Sequence, residues 1–349
     1  MTIVQHLVLD EYGAFLGKHS ERLVVSKGGK TVQQIPLLYL ESVTISGSGI
    51  SLSADAVEEC SKHGIPIYFL SERGHPYASL YSAGLTGTIT TRREQLAAFK
   101  DSRGVRLSFS LISGKMQNQA NLVKYMAKYR KETAPDTYEE LRRLTSEIMD
   151  EIIEIENIQR YPEIQEGSAV IDDLRNELMG IEGRAAQRYW RAVACVLPES
   201  AAFPGRKHQR AVDPVNAGLN YGYGILYSQC ERALTLAGLD PYAGFLHVDR
   251  PGKPSLTLDF IEEFRQAIVD RTIIGLANKN VAFTQEPDGL LKKETRLMLA
   301  EKIRERLDAA VPFEGKHYPL RIVLQMQARH VATFLRCERP EYIPFVLAW

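Results

Sequence analysis

The chain has 349 residues, 44% hydrophobic and 25% charged, which excludes a disordered or fibrous protein and leaves length for two domains, each with its own core. Forty-three basic and forty-three acidic residues give a formal charge of zero. That balance excludes a protein that coats nucleic acid through bulk positive charge, so any DNA contact must use local patches. There is no run of eighteen apolar residues, and the start MTIVQHLVLDEYG lacks the apolar stretch of a signal peptide. The expectation is a cytoplasmic protein that makes no membrane contact. Cys60, Cys195, Cys230 and Cys337 stand far apart without a C-x-x-C pair and read as reduced, mostly buried thiols rather than zinc ligands or disulfides.

In chain order, short apolar or β-branched runs come first: His6 to Asp10, Ala14 to Leu16, Leu23 to Val25, Thr31 to Ile35, Val43 to Ile45 and Ile67 to Leu70. Gly28-Gly29 reads as a two-residue hairpin loop, and Ser53 as the cap of the one helix in this region. Ser82 to Thr91, rich in Gly and Thr, breaks the strand pattern. From Arg92 the period changes. Leu96, Ala97 and Phe99, and later Leu141, Leu144, Ile148, Ile152 and Ile155, recur at helical spacing. The last three form a stripe better suited to a core than to a partner helix. The predicted fold class is α+β: a β-rich domain at 1–85, a linker at 86–91 and an all-α domain at 92–349.

Three places concentrate polar residues that a helical core avoids. In Met179 to Trp190, Glu182 shares a face with Ala185, Ala186 and Tyr189, at what reads as the start of a helix. It suits either a metal ligand or an N-terminal glutamate favoured by the helix dipole. In the second place, Gly244-Phe245-Leu246-His247 leads through a turn into Ser255 to Arg265. A helix there sets Asp259 and Glu262 one turn apart, where two carboxylates repel unless a cation or proton lies between them. Taken singly, His247 reads as a satisfied turn histidine, and the two acids as a solvated face paired to Arg265. Taken together, a histidine and carboxylates from separate segments form the mixed nitrogen and oxygen donor set of magnesium or manganese phosphoryl-transfer sites. The third place is Asp213 to Gly224, where Asp213-Pro214 signals a helix start and Asn216, Asn220 and Tyr223 share a face. That face can hold phosphates or bases, or simply pack through its glycines. Arg206, Lys207 and Arg210 read as an exposed loop, either a DNA contact or plain surface. Arg184 and Arg188, with Arg191, read as a face for the DNA backbone, because Arg184 points away from Glu182.

The ordered series E-G-x-x-A at Glu182 to Ala186, D-P-V-N-A at Asp213 to Ala217, N-Y-G-Y-x-x-L-Y at Asn220 to Tyr227, G-F-L-H at Gly244 to His247 and S-L-x-L-D-F-x-E-x-F-R at Ser255 to Arg265 resembles the CRISPR-associated integrase family. This is the spacer-acquisition subunit, the Cas-one family, and the resemblance runs along the whole chain. It implies a homodimer built by the β-rich domain, and a helical domain binding Mg2+ or Mn2+ through Glu182, His247 and Glu262. Asp259 matches an additional acidic position near the metal, and the third ligand, Glu262 here, is aspartate in some members. Asn216, Asn220, Tyr223 and Arg265 fall in motif segments near the active centre. The implied partners are double-stranded DNA (prespacer and leader–repeat), a small Cas-two-type subunit and, as a further candidate, a Cas-four-type nuclease. The implied reaction is metal-dependent joining or cleavage of DNA phosphodiesters. Two other readings compete with integration: a structure-selective metal-dependent nuclease, and a non-catalytic DNA-binding scaffold.

Overall fold

The computed structural model describes residues 6–40, 42–71, 76–80, 89–207 and 213–347. It divides into two compact units, Met1–Thr86 and Gly87–Trp349. The first holds two four-stranded sheets. One has the order β1 (His6–Leu9), β5 (Ser42–Ser46), β7 (Ile67–Leu70) and β8 (Pro76–Leu80), parallel except for its last pair. The other runs β4 (Lys30–Pro36), β3 (Arg22–Lys27), β2 (Ala14–His19) and β6 (Ser51–Leu52).

Leu16, Leu23, Ile35, Val43, Ile45 and Ile67 are all buried in one core; alternation is clear in β3, where Leu23 and Val25 are buried and Arg22, Val24 and Ser26 are not, whereas β5 and β7 are buried at nearly every position. Gly28 and Gly29 join β3 to β4 with φ of 57° and 75°, the paired positive values that a two-residue hairpin demands. Ser53 caps α1 (Ala54–Lys62), its hydroxyl accepting the Ala56 N–H at 3.1 Å. The six strands expected from sequence are present. β6 and β8, the second with exposed Tyr77 and Leu80, went unread.

The second unit is mostly helical: α2 (Ile89–Ala98), α3 (Ser102–Lys128), α4 (Pro135–Ile158), α5 (Pro162–Gln165), α6 (Ile171–Val196), α7 (Pro214–Leu236), α8 (Ser255–Ile261), a π-helical stretch at Gln266–Asp270, α9 (Arg271–Asn278), α10 (Lys293–Asp308) and α11 (Leu320–Leu335). α3, α4 and α6 pack on one another, and Ile148, Ile152 and Ile155 lie in the core they share. The chain then runs through 340–347 without regular structure. There Asn118 donates to Phe345 O at 2.8 Å and accepts the Leu347 N–H at 2.9 Å.

Four expectations are corrected. The unit is not all helix, because β9 (Ala310–Phe313) and β10 (Lys316–Pro319) form an antiparallel hairpin. Ile89 to Thr91, expected in the linker, already belong to α2; the preceding residues 81–88 lie outside the described residues. The helix expected over Ser255 to Arg265 ends at Ile261 and passes through a turn into the π-helical stretch. Of the four thiols, only Cys60 and Cys230 are buried. Among the described residues no helix is long and apolar enough to cross a membrane.

Candidate active site

Glu182 is not at a helix start. α6 begins at Ile171, so Glu182 sits in mid-helix, beyond the reach of the dipole argument that would have made it an ordinary N-terminal glutamate. It faces a cavity of about 270 Å3 together with His247, Glu262, Arg265 and Lys115. Three of the four residues that sequence singled out as catalytic therefore converge on one space from three elements: α6, the loop before α8 and the turn after it.

The G-F-L-H segment is held there by close backbone approach. A Cβ on Gly244 would lie 2.5 Å from Ser255 C and 2.8 Å from Asp259 Oδ2, so only glycine lets this loop lie against α8. Asp259 is fully buried and does not line the cavity. Its Oδ2 accepts the N–H groups of Phe245 (2.7 Å) and Leu246 (3.0 Å); its Oδ1 accepts that of His247 (2.9 Å) and lies 2.7 Å from His247 Nδ1. Asp259 thus fixes the ring, leaving Nε2 as the nitrogen it does not engage. Asp259, expected among the catalytic residues, lies behind the cavity wall against His247 rather than on its lining.

Lys115, which sequence reading missed, comes from α3. Its ammonium contacts Glu182 and lies 2.6 Å from Glu262 Oε2. The signal for it was present: Leu111, Lys115, Asn118 and Leu122 share the buried stripe of α3, where a lysine requires a counter-charge. Burial pushes the Glu262 carboxyl up, but Arg265, with Nη1 at 2.9 Å, and then Lys115 outweigh it and hold the pKa down at about 2. Burial likewise opposes the charged Lys115, and Glu262 and Glu182 overcome it, so its pKa is raised. The next residue behaves in the opposite way. Burial raises Glu263 to about 8, although it accepts from Tyr342 Oη (2.5 Å) and the Phe345 N–H (2.8 Å). Burial thus favours the neutral form of Glu263 beside the cavity.

The residues read as a DNA-contact face are engaged internally. Arg184 pairs with Glu151 and Glu154, each at 2.7 Å, and Arg188 with Glu147 at 3.0 Å and Glu151 at 2.9 Å, across the α4–α6 seam. Arg206 is not an exposed loop residue. It donates to Asn216 Oδ1 (2.9 Å) and Asn220 Oδ1 (2.7 Å), and its guanidinium lies 5.3 Å from the Tyr223 ring centre and 5.6 Å from that of Trp190. Asn216, capped by Asp213, also accepts the Lys207 N–H, so these amides organise the loop rather than present themselves to a ligand. The Tyr223 hydroxyl donates to Asp270, as does that of Tyr189 at 2.7 Å, and Arg265 stacks 4.8 Å from the Tyr223 ring centre. Burial raises the pKa of Asp270, and the two phenol hydrogen bonds oppose the shift. Of the described loop cations, Arg206 and Lys207, the exposed Lys207 is the one open to a partner; Arg210 lies outside the described residues.

A divalent cation is compatible with this donor set. Two carboxylates and an imidazole line one cavity, and a cation, the Lys115 ammonium, already lies between the two carboxylates. Among the described residues, the ligand atoms that lie within 4.8 Å of one another are those of Glu21, Glu59 and His63 in the first unit, where Glu59 is ion-paired to Lys18; Glu182, His247 and Glu262 share a cavity at wider spacing.

The family model described as CRISPR associated protein Cas1 matches residues 7–310. A CRISPR-associated endonuclease Cas1 from Archaeoglobus fulgidus is 37% identical over 358 aligned positions, covering 98% of this chain and 99% of the relative. Among solved structures, a casposase bound to its integration product superposes with a TM-score of 0.80 at 22% identity, covering 97% of this chain and 93% of that one. A chain of a Cas6-RT-Cas1–Cas2 complex superposes with a TM-score of 0.74 at 22% identity, over 99% of this chain and 36% of that longer one. With the five motifs in order, three of them meeting at one cavity, and with a match along nearly its whole length, this chain belongs to the CRISPR-associated Cas1 family of endonucleases.

Proposed function

We propose that the chain is a metal-dependent DNA integrase and endonuclease of CRISPR adaptation, in which a prespacer 3′-hydroxyl attacks a phosphodiester at the leader–repeat junction. The observation that carries this reading is the convergence of Glu182, His247 and Glu262 on one cavity around a buried cation. These three would hold Mg2+ or Mn2+, which when bound neutralises charge developing on the phosphate and eases deprotonation of the attacking hydroxyl. Asp259 keeps the His247 ring turned with Nδ1 inward, and Arg265 keeps Glu262 ionised and in place. In the reaction one P–O bond forms as another breaks, so joining and hydrolysis differ only in whether a DNA hydroxyl or water is the nucleophile.

Exposed Tyr12, Phe15, Val32, Leu38 and Tyr77 on the strand-rich unit support a homodimer formed through residues 1–85. The Cas1–Cas2 complex among the similar structures supports a small Cas2-type partner, and the casposase bound to an integration product supports a joining reaction, for which double-stranded DNA would be the substrate. A Cas4-type nuclease remains a candidate helper in cells. The deciding assay mixes labelled prespacer, a supercoiled plasmid carrying leader and repeat, the partner subunit and Mg2+ or Mn2+. Joining should vanish with EDTA and fall more than about 100-fold in Glu182→Ala, His247→Ala and Glu262→Ala, since loss of a ligand exceeds the usual effect of losing an outer-shell partner. Full joining by any two of these folded variants would remove the site. DNA shortening without joining would leave a plain nuclease, and binding with no ion dependence a scaffold.

A further inference from the structure

The cation between Glu182 and Glu262 is a lysine, and lysine differs from arginine in a way that matters here. An ammonium is a point charge on a flexible four-carbon stem, whereas a guanidinium is a planar fork locked by paired hydrogen bonds. Lys115 reaches the two carboxylates from α3, an element that carries neither of them, and its stem borders an open cavity of about 270 Å3. Glu262 would not be stranded if Lys115 left, because Arg265 also binds it and is pinned against Tyr223. Glu182 has no such second cation among the cavity's lining residues other than Arg265, which pairs with Glu262.

We infer that Lys115 is a tethered counter-cation that holds Glu182 and Glu262 together before metal binds, and that the divalent ion must displace it. The inference rests on the metal reading given above. Without any cation the two carboxylates would repel, so the lysine keeps the ligand set assembled. Its attraction also competes with the metal, because binding must first break the Lys115 contacts and so proceeds with weakened apparent affinity. Once displaced, the ammonium stays on its stem in the same cavity, with a DNA phosphate as the counter-charge on offer.

The test uses the full chain and Mn2+ alone, followed by calorimetry or by the electron spin resonance signal of free Mn2+. Lys115→Met keeps length and removes charge; it should bind Mn2+ at least about tenfold more tightly than the parent, a modest fraction of a close charge pair's energy. Lys115→Arg keeps the charge and should show no such gain. A second measurement needs no variant at Lys115: acetylation of Lys115 by an amine-reactive ester, read by peptide mass, should rise several-fold when the parent protein is saturated with Mn2+. In His247→Ala, where the ion has lost a ligand, it should not rise at the same Mn2+ concentration. Absence of any His247-dependent Mn2+ site in the parent would overturn the metal reading itself. A normal site in the parent, with Lys115 labelling unmoved by Mn2+ and Lys115→Met binding no tighter, would overturn the tethered cation while leaving the metal reading intact. If Lys115→Met does not fold, the labelling result decides alone.

Discussion

The two faces of α6 carry ion clusters that serve opposite ends. On one face Glu182 shares Lys115 with Glu262 beside a cavity; on the other, Arg184 and Arg188 pair with Glu147, Glu151 and Glu154 across the seam with α4. The seam uses arginine forks, partly solvated, which join two helices and leave nothing to exchange. The cavity uses one lysine, deeply buried, between two carboxylates, of which Glu262 also pairs with Arg265. What separates a lock from a site is therefore the freedom of the cation to leave, not the presence of charge.

The largest test of the comparison lies one residue from Glu262. Glu263 is raised to about 8, so the folded protein binds a proton there that the unfolded chain releases near 4.5. Its stabilising contribution is fully present below about pH 4.5 and is lost as pH rises through 8. Glu263→Gln should remove this component, flattening the fall in unfolding free energy between pH 5 and 8 by on the order of 3 kcal/mol. Urea titrations at the two pH values measure it; an unchanged slope would mean that Glu263 is ionised. Glu262, held at about 2, works in the other direction, since its contribution is present above pH 4.5 and disappears as pH falls toward 2.

Next in size is Asp259→Asn. The carboxylate accepts three backbone N–H groups and holds the His247 ring, so the change should weaken Mn2+ binding by about 10- to 100-fold while the protein remains folded. Calorimetry gives the affinity and circular dichroism the fold. Equal metal affinity in the variant would show that ring orientation is set elsewhere.

On the seam, Arg188→Ala should cost about 1 kcal/mol of stability, because Arg188 is partly exposed and Glu151 keeps Arg184. DNA affinity and its salt slope should be unchanged if the seam is only a lock. A flatter slope would restore the DNA-contact reading of this face.

The smallest effect is expected at exposed Lys207. Lys207→Ala should lower the logarithmic salt slope of duplex binding by about one if the residue meets a phosphate, and weaken all sequences alike. Arg206→Ala, by contrast, should destabilise the loop, since its guanidinium is tied to Asn216 and Asn220.

The sequence by itself determined six of the eight described strands of the first unit, the Gly28-Gly29 turn, the Ser53 and Asp213 caps, and the switch to helices, because alternation, positive φ and capping are local and leave a local trace. It also marked Glu182, His247 and Glu262, as polar residues at positions that a helical core does not tolerate. Tertiary structure alone decided what each polar group meets. Periodicity gives the face of a helix but not the neighbour opposite it, so the arginines of α6 looked free until α4 supplied glutamates, and Arg206 looked exposed until α7 supplied two asparagines. Asp259 became a support for His247 because Gly244 admits its loop against α8. Lys115 became the cation of the cavity because α3 crosses α6 there. A charge's role follows from its nearest opposite charge and its depth of burial, and in this protein both are set by segments distant in the chain.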